Sequence, residues 1–335
     1  MLDDVPKDDS LRLRTRSHPL RASLSEEMHV RKLPHFQAPA RLVQVVTLVG
    51  EEDAEQSRLQ IQELCEPHGV TPPAVGKYFT CRLGELDFVW EQHTEVASYT
   101  FIRRDTAELT FGLEPFGPIA RQWIDDLPGQ VIRATQVAFV VAETPQADLN
   151  SLKSHFVPSD LVVCDVADAQ ARIWSDFRLH GDGFGRLLVV DNGLEGDEPA
   201  QLVQRIQELG NYRNLALLGL PLAQRLTPRV SELEKRLAAL TSAVAERRSQ
   251  DDDLLNELGF LSAQLADLMA TTSYRMSATR AYATLSSDRL QSLKVTAVRG
   301  RQTLVDFTER RLVPAMRTCS SFSQRIEDLS QRVAW

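Results

Sequence analysis

The sequence predicts an α+β protein, in which a mixed or largely antiparallel sheet with a few helices precedes an all-helical half with long, coiled-coil-like helices. Two observations predict this class. Between residues 41 and 196, short β-branched runs follow one another too closely for helical crossovers. From residue 197 onwards, apolar residues recur at intervals of three and four, the spacing of one helix face. We therefore expect an irregular arm over residues 1–40, an α/β sheet domain over 41–196 and a helical region over 197–335.

The N-terminal arm is polar and interrupted by proline, and it contains the stretch "SEEMHVRKLPHF" from Ser25 to Phe36. If this stretch is extended, Glu27, His29 and Arg31 project to one side, because alternate residues of a strand share a face. Ion pairs then hold the arm against the sheet, an arrangement that we call the clasp. If the stretch is helical, a spacing of two separates these side chains and weakens this interpretation.

The sheet domain opens with "RLVQVVTLVG", Arg41 to Gly50, a β-branched run that predicts a buried strand. The acidic "EEDAE" that follows suits a helix N-terminus, where the helix dipole favours negative charge. "RLGELD" predicts a tight hairpin turn through Gly84. "GDGFGR" precedes a strand instead of opening a helix, so it predicts a turn and not a phosphate-binding loop.

The helical region ends in the longest apolar stripe of the chain, which we call the C-terminal seam. Its residues are Leu312, Ala315, Cys319, Phe322, Ile326, Leu329 and Val333. An apolar stripe of this kind has to be covered by another surface, so we expect the C-terminal helices to form the interface of a homo-oligomer. The stripe is still in phase at Val333 without a capping residue, which suggests that the natural helix continues. Breaks at Pro228 and Gln250 predict antiparallel helix hairpins.

The composition excludes some classes of partner and location. Thirty-eight basic residues against 46 acidic ones give a net charge of −8, which argues against nucleic-acid binding. The apolar runs are shorter than the roughly 18 residues that a membrane-spanning helix needs. Four scattered cysteines lack the spacing of a metal or redox site, which fits a reducing, cytoplasmic compartment.

The stretch "WEQHTE", Trp90 to Glu95, is the best candidate for chemistry. In a strand, Glu91, His93 and Glu95 share one face. Carboxylates beside an imidazole raise its basicity and fix its tautomer, which suits acid–base catalysis or metal binding. The alternative is a solvent-exposed polar face held by ion pairs.

A metal site on this strand needs further ligands from another segment, because adjacent positions on one strand do not surround an ion. The arm offers them. The catalytic candidates are His93, Glu91, Glu95 and His29, and the metal candidates are His93, Glu95, His29 and Glu27. The sequence identifies neither a substrate nor a cofactor, and a non-enzymatic role is favoured over an enzyme.

Several stretches carry a family resemblance. They are "HPLR" at His18, "EEMHVR" at Glu26, "WEQHTEVASYTF" at Trp90, "RLLVVD" at Arg186, "NYRNLALLGLPLA" at Asn211, "AYATL" at Ala281 and "RGRQTLVDFTERRLVPAMRTC" at Arg299. Through them the chain resembles domain of unknown function 3422, a family of uncharacterised bacterial membrane-anchored proteins. The family's first motif usually opens with asparagine and ends with proline, whereas Glu26 and Lys32 stand here.

The resemblance implies two apolar membrane helices after the coiled-coil region, which this sequence stops before, and a place at the cytoplasmic face of the inner membrane. Three hypotheses follow. The chain is a self-associating, non-enzymatic scaffold of a membrane-anchored protein. Alternatively, it is a metal-dependent enzyme that uses His93 with Glu91 and Glu95. In the third, the complete protein transports divalent cations, because its layout is similar to that of CorA-type magnesium channels.

Overall fold

The fold is α+β, as predicted: a nine-stranded mixed sheet is followed by long helices. A computed structural model describes residues 17–21, 24–25, 32–73, 76–104, 110–245 and 251–334. In these ranges the strands are β1 (Ala40–Leu48), β2 (Tyr78–Leu83), β3 (Leu86–Gln92), β4 (Val96–Arg104), β5 (Gln130–Val141), β6 (Val162–Val166), β7 (Ala171–Ser175), β8 (Gly185–Asp191) and β9 (Thr296–Ala297). The helices are α1 (Glu51–Cys65), α2 (Gly117–Asp125), α3 (Gln146–Ser154), α4 (Glu198–Leu217), α5 (Gly219–Ala245), α6 (Asp251–Ser292) and α7 (Leu304–Ala334).

The strand order is β2-β3-β4-β1-β5-β8-β7-β6-β9. Among these named strands, β5 and β8 pair in parallel and the other neighbours pair antiparallel. Short loops allow antiparallel pairing, whereas α3 and the β6–β7 hairpin separate the parallel pair in sequence. The hairpin turn expected at Gly84 is confirmed, and its φ of +63° is one that glycine adopts at little cost.

Helices α1, α2 and α3 cover one face of the sheet. Trp123 of α2 lies at the centre of this layer, and its ring makes edge contacts with Phe88, Tyr99 and Phe101 at centroid distances of 5.3–5.4 Å. Val43 and Val45 of β1 point to the same face. Strands β1, β3 and β4 therefore bury alternate residues under α1 and α2.

Helix α4 covers the opposite face, where Val203 and Ile206 pack in one core with Leu42 and Val137 of the sheet. Residues 32–39 of the arm also pack on this face, and the buried Phe36 ring contacts Phe139 edge-on at 5.7 Å. The segment between α6 and α7 contributes the two-residue strand β9 to the sheet edge. The helical half and the sheet therefore share one hydrophobic core.

Helices α5, α6 and α7 form a three-helix bundle that buries the C-terminal seam. Cys319, Phe322, Ile326 and Leu329 of α7 lie in one core with residues of α5 and α6. The surface that covers the seam is thus part of the same chain. The seam no longer supports the expected homo-oligomer, which stays a prediction.

The chain break expected at Pro228 is wrong, because Pro228 lies inside α5 and the helices part at Leu218. Burial of Val230 and Leu233 on the same helix offsets the hydrogen bond that proline removes. Gln250 lies outside the described residues. No helix within the described ranges is both long and apolar enough to cross a bilayer.

Two of the scattered cysteines meet in the fold. The Sγ atoms of Cys65, at the end of α1, and Cys81, in β2, are 3.9 Å apart, and both thiols are free. Burial raises the pKa of both thiols, so both stay protonated at neutral pH.

Candidate functional site at the sheet–helix interface

Glu91 and His93 lie together, as the period-two pattern predicts. Glu91 sits opposite Ser98 in the β3–β4 ladder, and the backbone N–H of His93 donates to the carbonyl of Val96. The Nε2 atom of His93 is 3.3 Å from the Oε1 atom of Glu91. Both side chains are partly buried on the sheet face that α4 covers.

Glu95 faces a different partner. Strand β3 ends at Gln92, so the alternation of side chains stops before Glu95. Arg275 of α6 donates two hydrogen bonds to its carboxylate, from Nη1 to Oε1 at 3.1 Å and from Nη2 to Oε2 at 2.5 Å. This bidentate ion pair joins the β3–β4 turn to the helical bundle.

A cavity of ≈ 40 Å³ lies beside Glu91 and His93, between the sheet and helices α4 and α6, and we call it the sheet–helix cavity. Its other polar walls include Ser98 of β4 and Gln207 of α4. Gln207 is only 2% exposed, and neither polar atom of its amide has a hydrogen-bond partner among the described residues. An amide buried in this way is usually satisfied by a bound water or ligand, and the cavity has room for one.

A hydrogen-bond network closes one side of the cavity. The Gln44 Nε2 donates to Thr100 Oγ1 at 3.1 Å, and its Oε1 accepts from Asn211 Nδ2 at 3.1 Å and from Arg133 Nη1 at 3.2 Å. Arg133 Nη1 also donates to Asn211 Oδ1 at 2.9 Å. The network satisfies polar atoms of these side chains. In contrast, the amide of Gln207 lines the cavity and has no hydrogen-bond partner among the described residues.

Two tyrosines supply hydroxyl groups at the cavity wall. The hydroxyl of Tyr78 donates to the carbonyl oxygen of Lys32, and burial together with the Glu91 carboxylate raises the pKa of Tyr78 to about 12. Burial and then the Glu95 carboxylate raise the pKa of Tyr282, whose ring stacks on Tyr212 at 6.1 Å. Both phenols therefore stay protonated at neutral pH.

A comparison with known protein families matches residues 16–335 to the family described as protein of unknown function (DUF3422). The chain belongs to this family. Searches of curated proteins and of solved structures each find no match. Five of the stretches that carry the resemblance contribute walls to the sheet–helix cavity or to a second cavity between α4 and β5, β7 and β8; they begin at Trp90, Arg186, Asn211, Ala281 and Arg299.

The arm reaches the cavity at Lys32. Lys32 lines the cavity, and the backbone N–H of Leu33 donates to Gln204 Oε1 of α4 at 3.2 Å. Glu27, His29 and Arg31 lie outside the described residues, so the clasp stays a prediction, as do His29 and Glu27 as ligands. Within the described ranges, no group of three or more His, Cys, Asp or Glu side chains is arranged to hold a metal ion.

Sequence reasoning missed Gln207. The position of Gln207 in the helix could have identified it. Val203 and Gly210 lie four residues before it and three residues after it on the same buried stripe of α4. A glutamine at such a core-facing position needs a polar partner. Its presence indicates that α4 faces a polar site on the sheet.

Proposed function

We propose that this member of the family is a non-enzymatic, self-associating module, and that copies of the chain meet through the far end of the three-helix bundle. The observation that carries this proposal is an apolar groove of ≈ 620 Å³ at that end. Its apolar walls are Leu237, Leu240, Val244, Leu254, Leu255, Leu258 and Val333.

The groove lies far from the sheet. The 31 residues of α7 extend about 45 Å at 1.5 Å per residue, from Leu304 in the sheet core to the groove. Val244 is 56% exposed and Leu255 is 65% exposed. Large apolar side chains that line a concave surface favour association with another apolar surface.

A second copy of the chain is the occupant that we propose. Each copy carries the same apolar surface, so a pair of copies buries two grooves at once in a symmetric contact. The C-terminal helices thus supply the interface through their ends, where Val333 is the one seam residue that lines the groove, and not through the buried part of the C-terminal seam. Membrane anchorage and a place at the cytoplasmic face of the inner membrane rest on the resemblance and stay predictions, as does cation transport.

Sedimentation velocity over a range of protein concentrations tests self-association. We expect the wild-type chain to associate with increasing concentration. Val244→Ser combined with Leu255→Ser removes two apolar contacts and is expected to weaken association by at least about tenfold. Leu179→Ser is the matched control, because Leu179 is 77% exposed on a loop of the sheet half. A wild-type chain that stays monomeric, or a double variant that associates as well as wild type, contradicts the proposal.

A metal-dependent role for the sheet–helix cavity is the second candidate. The Gln207 amide, which has no hydrogen-bond partner in the described part of the chain, lines the same cavity as the Glu91–His93 pair and favours this candidate, because a bound ion with its waters satisfies such an amide. Glu95 is paired with Arg275 through both carboxylate oxygens, so this candidate rests on Glu91 and His93.

Thermal unfolding with Zn²⁺ or Mn²⁺ tests the second candidate. A metal at about a hundred times its Kd is expected to raise the Tm by about 4 °C in the wild-type chain. His93→Ala removes the shift, and His29→Ala does so as well if the arm supplies a ligand. His35→Ala, on the exposed His35, is the control. An unchanged wild-type Tm and no metal in the purified protein remove this candidate.

A further inference from the structure

A second cavity, of ≈ 280 Å³, lies on the other side of the Gln44–Arg133–Asn211 network, and we call it the arginine cavity. It opens between α4 and the strands β5, β7 and β8. Its charged lining residues are Arg133, Arg178, Arg186 and Arg213. Its lining contains four arginines and no aspartate or glutamate in the described part of the chain.

Arg133 is placed by a glycine of the facing helix. A methyl group on Gly210 of α4 would lie 2.7 Å from the Arg133 guanidinium, so the side chain occupies the space that glycine leaves. Its described hydrogen bonds are to the neutral side chains Gln44 and Asn211. These hydrogen bonds hold the guanidinium in place, but neither partner carries a negative charge that would neutralise it.

Arg213 faces aromatic rings. Its guanidinium carbon lies 4.6 Å from the ring centroid of Phe177 and 5.4 Å from that of Phe307. Its Nη1 is buried without a hydrogen-bond partner among the described residues. Phe177 has a φ of +52°, a costly conformation for a bulky residue, so the backbone is strained where the ring meets Arg213.

The positive charges of Arg133 and Arg213 repel each other. Burial lowers the pKa of Arg133 to about 9, with a further contribution from the charge of Arg213. Burial lowers the pKa of Arg213 to about 10, with a contribution from Arg311. In contrast, Arg178 pairs with Asp160, and Arg186 pairs with Asp182 at 3.3 Å. Arg133 and Arg213 form no ion pair with a carboxylate of the described residues.

We propose that the arginine cavity binds the phosphate or carboxylate group of a small molecule, which Arg133 and Arg213 hold from two sides. Two guanidinium groups that line one cavity suit an oxyanion, because guanidinium groups form paired, charge-assisted hydrogen bonds with its oxygens. Ile173, Leu187 and Leu209 supply apolar walls for the remainder of the ligand. The volume is near the lower end of the range for small-molecule sites, which fits a small metabolite.

Thermal unfolding of the full chain in phosphate, with chloride at equal ionic strength as the reference, tests the proposal. Inorganic phosphate at about a hundred times its Kd is expected to raise the wild-type Tm by about 4 °C. Arg213→Met abolishes this shift and raises the Tm in phosphate-free buffer, because it removes an uncompensated charge. Arg236→Gln, which removes a carboxylate-paired arginine of α5 outside the cavity, keeps the shift. A shift in acetate and not in phosphate assigns the group as carboxylate.

Equilibrium dialysis of the wild-type chain against radioactive phosphate, with acetate as competitor, gives a result that requires no variant to fold. Saturable binding of about one phosphate per chain, or of acetate alone, supports the proposal. Equal Tm values in phosphate, acetate and chloride overturn it. Undiminished phosphate binding by folded Arg213→Met overturns it as well.

Discussion

At the scale of single residues, the ion pair between Glu95 and Arg275 is the most informative contact. It is bidentate and both side chains are largely withdrawn from solvent. A partly buried pair of this geometry contributes more to stability than an exposed one, because water and salt screen it less. It also connects two elements that are far apart in the sequence, the β3–β4 turn and α6.

Glu95→Gln is expected to lower the free energy of unfolding by about 2 kcal/mol, because it leaves the Arg275 guanidinium without its counter-charge. Denaturant unfolding measures the loss. The matched control is Asp168→Asn, which removes the partner of Lys294 in an exposed pair and is expected to cost less than about 1 kcal/mol. Equal losses in the two variants contradict the structural role given to Glu95.

The sequence predicted that Glu91 and His93, two of the residues that line the sheet–helix cavity, share one face. Glu91 and His93 are two residues apart, so local periodicity brought them to one face. The partners of Gln44 were beyond local reasoning, because Arg133 lies 89 residues away and Asn211 lies 167 residues away. The position of Glu95 was missed because β3 ends at Gln92, and local periodicity does not reveal where a strand ends.

At the scale of elements, short β-branched runs predicted the strands of the sheet, and the spacing of apolar residues predicted the long terminal helix. It did not predict what α7 packs against, because an apolar stripe looks the same whether its partner is another copy or the same chain. The structure assigns the C-terminal seam to the core of the three-helix bundle. It also keeps Pro228 inside α5, where tertiary packing overrides a local breaker.

Two phenylalanines of the bundle test this assignment. Phe322 of α7 is 2% exposed, whereas Phe260 of α6 is 50% exposed. Phe322→Ala is expected to lower the free energy of unfolding by about 3–5 kcal/mol through loss of apolar contacts and an empty volume in the core. Phe260→Ala is expected to cost less than about 1 kcal/mol. Chemical denaturation of dilute protein gives both values, and a small loss for Phe322→Ala contradicts the inward orientation of the seam.

At the scale of the whole molecule, α4 and α6 couple the sheet to the bundle. Helix α4 lies on the sheet, and Glu208 of α4 pairs with Arg289 of α6. Polar cavities lie on the sheet side of α4, while the apolar groove lies at the far end of the bundle. This arrangement separates the region for which we propose small-ligand binding from the surface for which we propose contact between copies.

Disulfide cross-linking between copies is the most direct measurement of self-association through the groove. Leu255→Cys, in a chain that also carries Cys81→Ser, places an accessible thiol at the groove. Leu179→Cys in the same background places one on the sheet half. We expect mild oxidation to yield a covalent dimer from Leu255→Cys and little from Leu179→Cys. No dimer through position 255, or equal amounts of dimer from both variants, would contradict the account.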